Sequence, residues 1–222
     1  MDSREFTFIN EEFHAAKVRP EDLDKLLSAG WRHFGKYFFR YSIAFHENKY
    51  RKVMPLRIRL AEFSLTKSLR RILRKNGDLH FSYGPAVIDD EKHRLFDIHK
   101  QRFKGMRPGS LLHFLDPEAG KVPCESLEFR VRNDDGDLVA VSFADQSSRS
   151  FSAIYAMFDP EYSSRSLGIL TILLEIEQAR DMGKSFYYLG YAYEGNSFYD
   201  YKKRFRGIER YDWNGNWERF EV

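Results

Sequence analysis

The stretch 151–191 constrains the fold of this 222-residue chain more than any other part of it. Residues 151–158 are apolar and aromatic over the length of one strand. A polar loop follows, then a helical pattern over about 166–182 that Gly183 stops, then an aromatic strand over 186–191. A strand, a helix and a second strand in that order set two strands into one sheet under a covering helix. Two further strands, 127–132 and 138–144, precede them around the turn Asp134-Asp135-Gly136. Antiparallel strands leading into such a unit predict a mixed α/β sheet with helices against it.

Upstream, 22–29 reads as the end of a short helix closed by Gly30, and 37–45 and 51–60 read as a hairpin joined by His46-Glu47-Asn48-Lys49. Ser64 is placed to cap a helix whose apolar stripe is Leu65, Leu69, Ile72 and Leu73. After Gly84-Pro85, Asp89 caps a helix that runs to about Lys104, where Gly105 and Pro108 break it. With 42% hydrophobic and 31% charged residues, the composition is that of a folded soluble protein. No apolar run reaches the roughly 18 residues that cross a bilayer, and the first residues carry no basic-then-apolar signal. The expected compartment is the cytoplasm, with no membrane partner.

Charge is unevenly distributed. The formal net charge is +3, yet Lys49 to Asn76 holds ten Lys or Arg residues against one acid, Glu62. Lys67, Arg70, Arg71, Arg74 and Lys75 follow helical spacing and line one face opposite the apolar stripe. A phosphate backbone suits such a face; acids from elsewhere in the fold would also neutralise it.

Other chemistries gain little support. Cys124 is the single cysteine, which excludes an internal disulfide and argues against a thiolate metal site supplied by this chain alone. The seven histidines show no metal-ligand spacing, and no Gly-x-Ser-x-Gly elbow frames a nucleophile. The loop before Ser166 matches the first half of the acetyltransferase phosphate turn at Arg165 and Gly168, but Leu170 stands where a small residue belongs and argues against close approach of coenzyme A. Tyr187, Tyr188, Tyr191 and Tyr193 surround Gly190, and Lys202, Lys203 and Arg204 follow.

Taken together, several segments resemble the arginyl-tRNA–protein transferases and the bacterial aspartate/glutamate leucyltransferases. They are Leu26 to His33, Met54-Pro55-Leu56-Arg57 and Thr66 to Asn76, then Ser152 to Tyr155, Asp159-Pro160, Ser166-Leu167-Gly168, Tyr188 to Tyr191 and Asp200 to Phe205. The matches keep the family order over roughly residues 23–212. The resemblance implies an N-terminal module over 1–80 and an acyltransferase-like lobe, of the GNAT kind, over 81–222. It implies transfer of an amino acid, Arg or Leu-like, from aminoacyl-tRNA to the N-terminal amine of a protein or peptide, one that an acidic residue could lead, as in an N-degron.

Site roles follow from the same resemblance. Asp145 would orient or deprotonate the amine, and Tyr191 would bond the ester or the terminal ribose. Lys67, Arg70, Arg71 and Arg74 would contact tRNA phosphates. Tyr155, Ser166, Leu167, Gly168, Tyr201 and Lys202 would hold the tRNA end and the acceptor. No cofactor and no metal are expected, an iron–sulfur cluster included. Family members carry clustered cysteines where this chain has Ser42, Tyr50 and Val53, and sulfur-containing residues where it has Asn196 to Tyr199. Two rival readings share the fold: an acetyl-coenzyme A-dependent N-acyltransferase, and a module that binds N-termini without chemistry.

Overall fold

The computed structural model describes residues 7–103 and 107–220. In chain order the elements are β1 (Asn10–His14), α1 (Pro20–Ser28), β2 (Arg32–Phe34), β3 (Tyr37–Tyr41), β4 (Ile43–His46), β5 (Lys49–Arg59), α2 (Lys67–Lys75), β6 (His80–Pro85), α3 (Asp90–His99), β7 (Ser126–Arg132), β8 (Leu138–Gln146), β9 (Ser150–Phe158), α4 (Leu167–Asp181), β10 (Phe186–Tyr193), β11 (Ile208–Tyr211) and β12 (Trp217–Arg219). A small sheet has the order β1-β3-β2. The large one runs β12-β11-β5-β10-β9-β8-β7-β6, with β4 paired to β5. The β9–α4–β10 crossover is present as expected, and β9 and β10 are parallel.

Successive side chains of the central strands point to opposite faces, and both faces are covered. Phe151, Tyr187 and Leu189 pack with Ile172, Leu173 and Ile176 of α4 and Leu69 of α2. On the other face Val141, Phe143 and Met157 pack with Leu95 and Phe96 of α3, while Tyr188 packs with Leu23 and Leu27 of α1. β5, contributed by the chain before residue 80, lies between β11 and β10 in the middle of the large sheet.

Three expectations change. The stretch 37–45 is two strands, because the chain changes sheets at fully buried Ser42, whose hydroxyl accepts the Ile9 N–H at 2.9 Å while its carbonyl accepts that of Val53. The cap of α2 is Thr66, which accepts Leu69 N–H at 3.3 Å; Ser64 instead accepts from Arg206. Leu170 is fully buried against Leu79, Val131 and Val139, so its bulk fills the core and does not crowd the turn before α4. Asp89 does cap α3, accepting from Lys92 N–H at 3.0 Å; Lys104 and Gly105 lie outside the described residues. The hairpin between β4 and β5 is also as expected, and its turn residues Glu47 and Asn48 both have positive φ, 50° and 59°, the conformation that matches strand twist.

A carboxyl group lies in the core beneath α4. Glu175 of α4 is 1% exposed and accepts the hydroxyl of Tyr187, and burial pushes its carboxyl up to about 7. A carboxyl whose folded pKa exceeds its unfolded value takes stability away as pH rises between the two. Relative to Glu175→Gln, the protein should lose roughly 3 kcal/mol of stability between about pH 4.5 and 7, read from denaturant unfolding at a series of pH values. A pH-independent difference would mean that the Glu175 carboxyl titrates in the folded protein as it does in the unfolded chain.

Candidate active site

β9 and β10 begin as hydrogen-bonded neighbours and then part. Their parallel pairing covers Phe186 to Tyr188 against Ser150 to Ser152. Beyond it β10 follows β5, with a register shift between Tyr188 and Gly190, and β9 follows β8. Gly190 has φ of +82°, which a side chain would strain, and this bend carries β10 away. A wedge opens between the strands, and main-chain groups on its two edges lose their ladder partners.

Two cations meet those groups. Arg32, the first residue of β2, donates Nη1 to Ser152 Oγ at 2.5 Å and Nη2 to the Ala153 carbonyl, and its guanidinium lies against Gly190. Lys202 donates Nζ to the Tyr191 carbonyl at 3.1 Å. Tyr191 stands opposite Pro55 of β5, which has no N–H to offer. Lys202 lies in a 3₁₀ turn, Phe198–Arg204, with its ammonium 5.1 Å from the centre of the Tyr199 ring. Burial and then the nearby Arg32 charge lower its pKa to about 7. Burial raises the Tyr41 and Tyr201 phenols to about 12, so they stay neutral donors at physiological pH.

The other expected site residues fall in different places. Asp145 does not face the wedge: it is 1% exposed, with His33 Nε2 at 2.8 Å and the Ser126 hydroxyl donating at 2.8 Å. Burial alone would raise its carboxyl, but His33, Ser126 and Arg32 together hold it below the usual carboxylate range. An acid enclosed and stabilised as the anion is a poor base for an incoming amine. The Tyr191 hydroxyl is also committed, donating to Gly30 O at 2.7 Å. It is the residue's carbonyl that reaches the wedge. Tyr155 stacks on Phe114 at 4.1 Å within the α3-side cluster, its hydroxyl enclosed without a hydrogen-bond partner among the described residues.

At the start of α4, Ser166 adopts a left-handed conformation with φ of 59°, and its own N–H turns to Ser163 O at 3.4 Å. The preceding loop is tied to the end of α2: Arg165 donates to Asn76 Oδ1 at 3.0 Å and Lys75 O at 2.8 Å, and Lys75 donates to Ser164 O at 2.7 Å. The basic stripe is thereby anchored beside the crossover loop. Lys67, Arg70, Arg71 and Arg74 are exposed and make no ion pair among the described residues. Arg32 was missed by sequence reasoning although it lies inside a matched segment, because nothing in the pattern says that a strand on a separate sheet delivers it to β9.

His33, Cys124 and Asp145 bring donor atoms within 4.8 Å of one another, and all three are buried. Those atoms are already engaged: Cys124 Sγ donates to Asp145 Oδ1 at 3.4 Å, beside the His33 and Ser126 contacts, and burial followed by Asp145 raises the thiol well above its ordinary pKa. An iron–sulfur cluster needs several thiolates. The residues here do not fit one, since Ser42 is bonded into a strand switch and Cys124 is the single thiol.

Comparison with known proteins adds to this geometry. The family model described as "Arginine-tRNA-protein transferase, C terminus" matches residues 75–212, and the corresponding N-terminus model matches residues 2–71. An "Aspartate/glutamate leucyltransferase" of Sinorhizobium medicae is 34% identical over 216 residues, 91% of this chain and 81% of the relative. One of Paramagnetospirillum magneticum is 33% identical over 169 residues, 75% of this chain and 69% of the relative. The crystal structure of FemX aligns at a TM-score of 0.51 over 85% of this chain and 65% of that one, with 9% identity, a likeness of fold.

Proposed function

Because the chain belongs to the arginine-tRNA-protein transferase family, and is an enzyme that passes an amino acid from aminoacyl-tRNA to a protein N-terminus, we propose that the wedge between β9 and β10 receives the aminoacyl ester of the charged tRNA. The observation that carries this reading is the pair of strand carbonyls released by the splay, one met by Arg32 and the other by a lysine that titrates near neutrality. The relatives' name supplies the finer choice: a leucyl group passed to an N-terminal Asp or Glu. The ester needs no covalent enzyme intermediate, so positioning, proton transfer and stabilisation of the developing oxyanion suffice.

In this mechanism the acceptor enters as the free amine. As its nitrogen bonds to the ester carbonyl carbon, neutral Lys202 takes the proton that the nitrogen sheds. The C–O bond to the ribose then breaks, and Lys202 returns that proton to the ribose oxygen, leaving an amide and free tRNA. Arg32 stabilises the carbonyl oxygen, and the main-chain N–H groups of Leu167 and Gly168, beyond the far end of β9, hold the tRNA end. Asp145 acts as a positioning residue through Arg32 and His33, and Tyr191 positions Lys202 through its carbonyl. Tyr201 borders the amine site, and the Lys67, Arg70, Arg71 and Arg74 face holds the tRNA backbone beside the crossover loop. On this reading residues 1–80 supply Arg32 and the basic face, and residues 81–222 supply the wedge. Aminoacyl-tRNA is the co-substrate, and the cytoplasm is where it is met.

Two experiments test the reading. Single-turnover transfer should rise with pH through about 7, as Lys202 loses its proton; Lys202→Met should fall roughly 100-fold and lose that inflection. Lys202→Arg, which keeps the charge but cannot serve as a base, should be as slow, and a normal rate in that variant would assign Lys202 to charge alone. Replacing Lys67, Arg70, Arg71 and Arg74 by Ala should flatten the salt dependence of tRNA binding by about 0.9 per lost duplex phosphate contact. An unchanged slope would remove the face from the tRNA interface.

A further inference from the structure

The β4–β5 hairpin holds a second cation whose hydrogen bonding is incomplete. Arg51 is 8% exposed; Nη1 donates to Asn196 O at 2.6 Å and Nη2 to the Glu47 carboxylate, while Nε is buried with no partner among the described residues. A carboxylate lying side-on to a guanidinium takes two parallel N–H bonds. Glu47 takes one. Its second oxygen stands 3.9 Å from His46 Nε2, another buried atom without a hydrogen-bond partner. Unsatisfied buried polar atoms are uncommon and costly, and here two of them adjoin one carboxylate that fits neither fully. Glu47 reaches them from the turn itself, with a backbone φ of +50° and a side chain 53% exposed, so it is held at the rim and can swing out.

The place of this pocket relative to the wedge narrows what it could take. His46 stacks on Tyr193 at 4.6 Å, and its ring centre is 6.0 Å from that of Tyr199. Lys202 Nζ stands over the same Tyr199 ring. Tyr199 thus adjoins both the incomplete carboxylate site and the amine. We propose that Arg51 and His46 read the side-chain carboxylate of an acceptor whose N-terminal residue is Asp or Glu, and that Glu47 is an internal stand-in which leaves when the acceptor enters. This rests on the reading of the wedge as the place where the acceptor amine reacts.

The test uses peptides identical except for a first residue of Asp, Glu, Asn or Gln, with transfer from charged tRNA measured as kcat/KM. Arg51→Gln should lower kcat/KM for the acidic peptides about tenfold or more, chiefly through KM, and leave the amide peptides unchanged. Glu47→Gln, an exposed turn substitution that leaves the core intact, should lower KM for the acidic peptides several-fold and leave the amide peptides unchanged. Acid preference and KM unaltered in Glu47→Gln would overturn the proposal even if Arg51→Gln failed to fold. If the unsubstituted protein transfers nothing to any peptide, the transfer reading fails separately. Fluorescence anisotropy of labelled peptides then decides the pocket: acid-selective binding lost in Arg51→Gln upholds it, and binding without acid preference rejects it.

Discussion

Two parallel strands that separate leave main-chain groups which neither strand can satisfy, and the candidate site follows from how this chain meets them. β9 and β10 share three residues of pairing before Gly190 bends β10 away. An unmet buried carbonyl costs about as much as a lost hydrogen bond. The chain meets the Ala153 and Tyr191 carbonyls with cationic side chains. That choice brings two positive charges near each other in a partly enclosed space. A guanidinium cannot give up its proton, whereas an ammonium can. Burial, and after it the repulsion from Arg32, therefore brings the Lys202 pKa into the neutral range. A backbone irregularity thus yields an amine able to exchange protons near neutral pH.

Much of this frame was legible in the sequence. The crossover, the hairpin, the α3 cap at Asp89 and the amphipathic α2 all follow from local periodicity, turn chemistry or capping, which act between residues close in the chain. The strand switch at Ser42 was not legible, because it depends on Ile9, just before β1, and Val53 of β5 bonding to the same residue. β11 and β12 escaped as well; each is four residues or fewer and too short to show a period. At the site, the importance of Lys202 could be guessed from its cationic cluster, but its partner and its proton affinity are products of the splay. Asp145 shows the converse case. An acid at a strand end suggests an exposed base, and only the tertiary packing of β2 and His33 over that end encloses it.

The Met54-Pro55-Leu56-Arg57 segment shows why a proline is accepted in the middle of a sheet. A proline in a central strand normally forfeits a ladder bond. Here its neighbour is Tyr191, whose carbonyl is bound by Lys202. Two residues on, Arg57 donates Nε to Glu209 at 2.6 Å, with its guanidinium 4.0 Å from the Phe186 ring centre and 4.2 Å from that of Trp217. This buried pair ties β5 to β11, the next strand of the sheet. Arg57 also stands opposite Tyr188 of β10 and donates Nη1 to its hydroxyl at 3.3 Å, in the same β5–β10 ladder that sets Pro55 opposite Tyr191.

The enclosed Asp145 gains a role from the order in which the charges lie. It interacts with Arg32 and His33, and it raises the proton affinity of the guanidinium that burial would lower. The influences acting on Lys202 are burial and Arg32. Arg32 is held in place by Ser152 and Ala153, and the carboxylate behind it favours the charged guanidinium. Had the acid stood in the wedge beside Lys202, it would have stabilised the ammonium and restored a high pKa. Keeping the acid behind Arg32 favours the charged guanidinium and leaves the lysine able to lose its proton, which is the condition that the proposed transfer step requires.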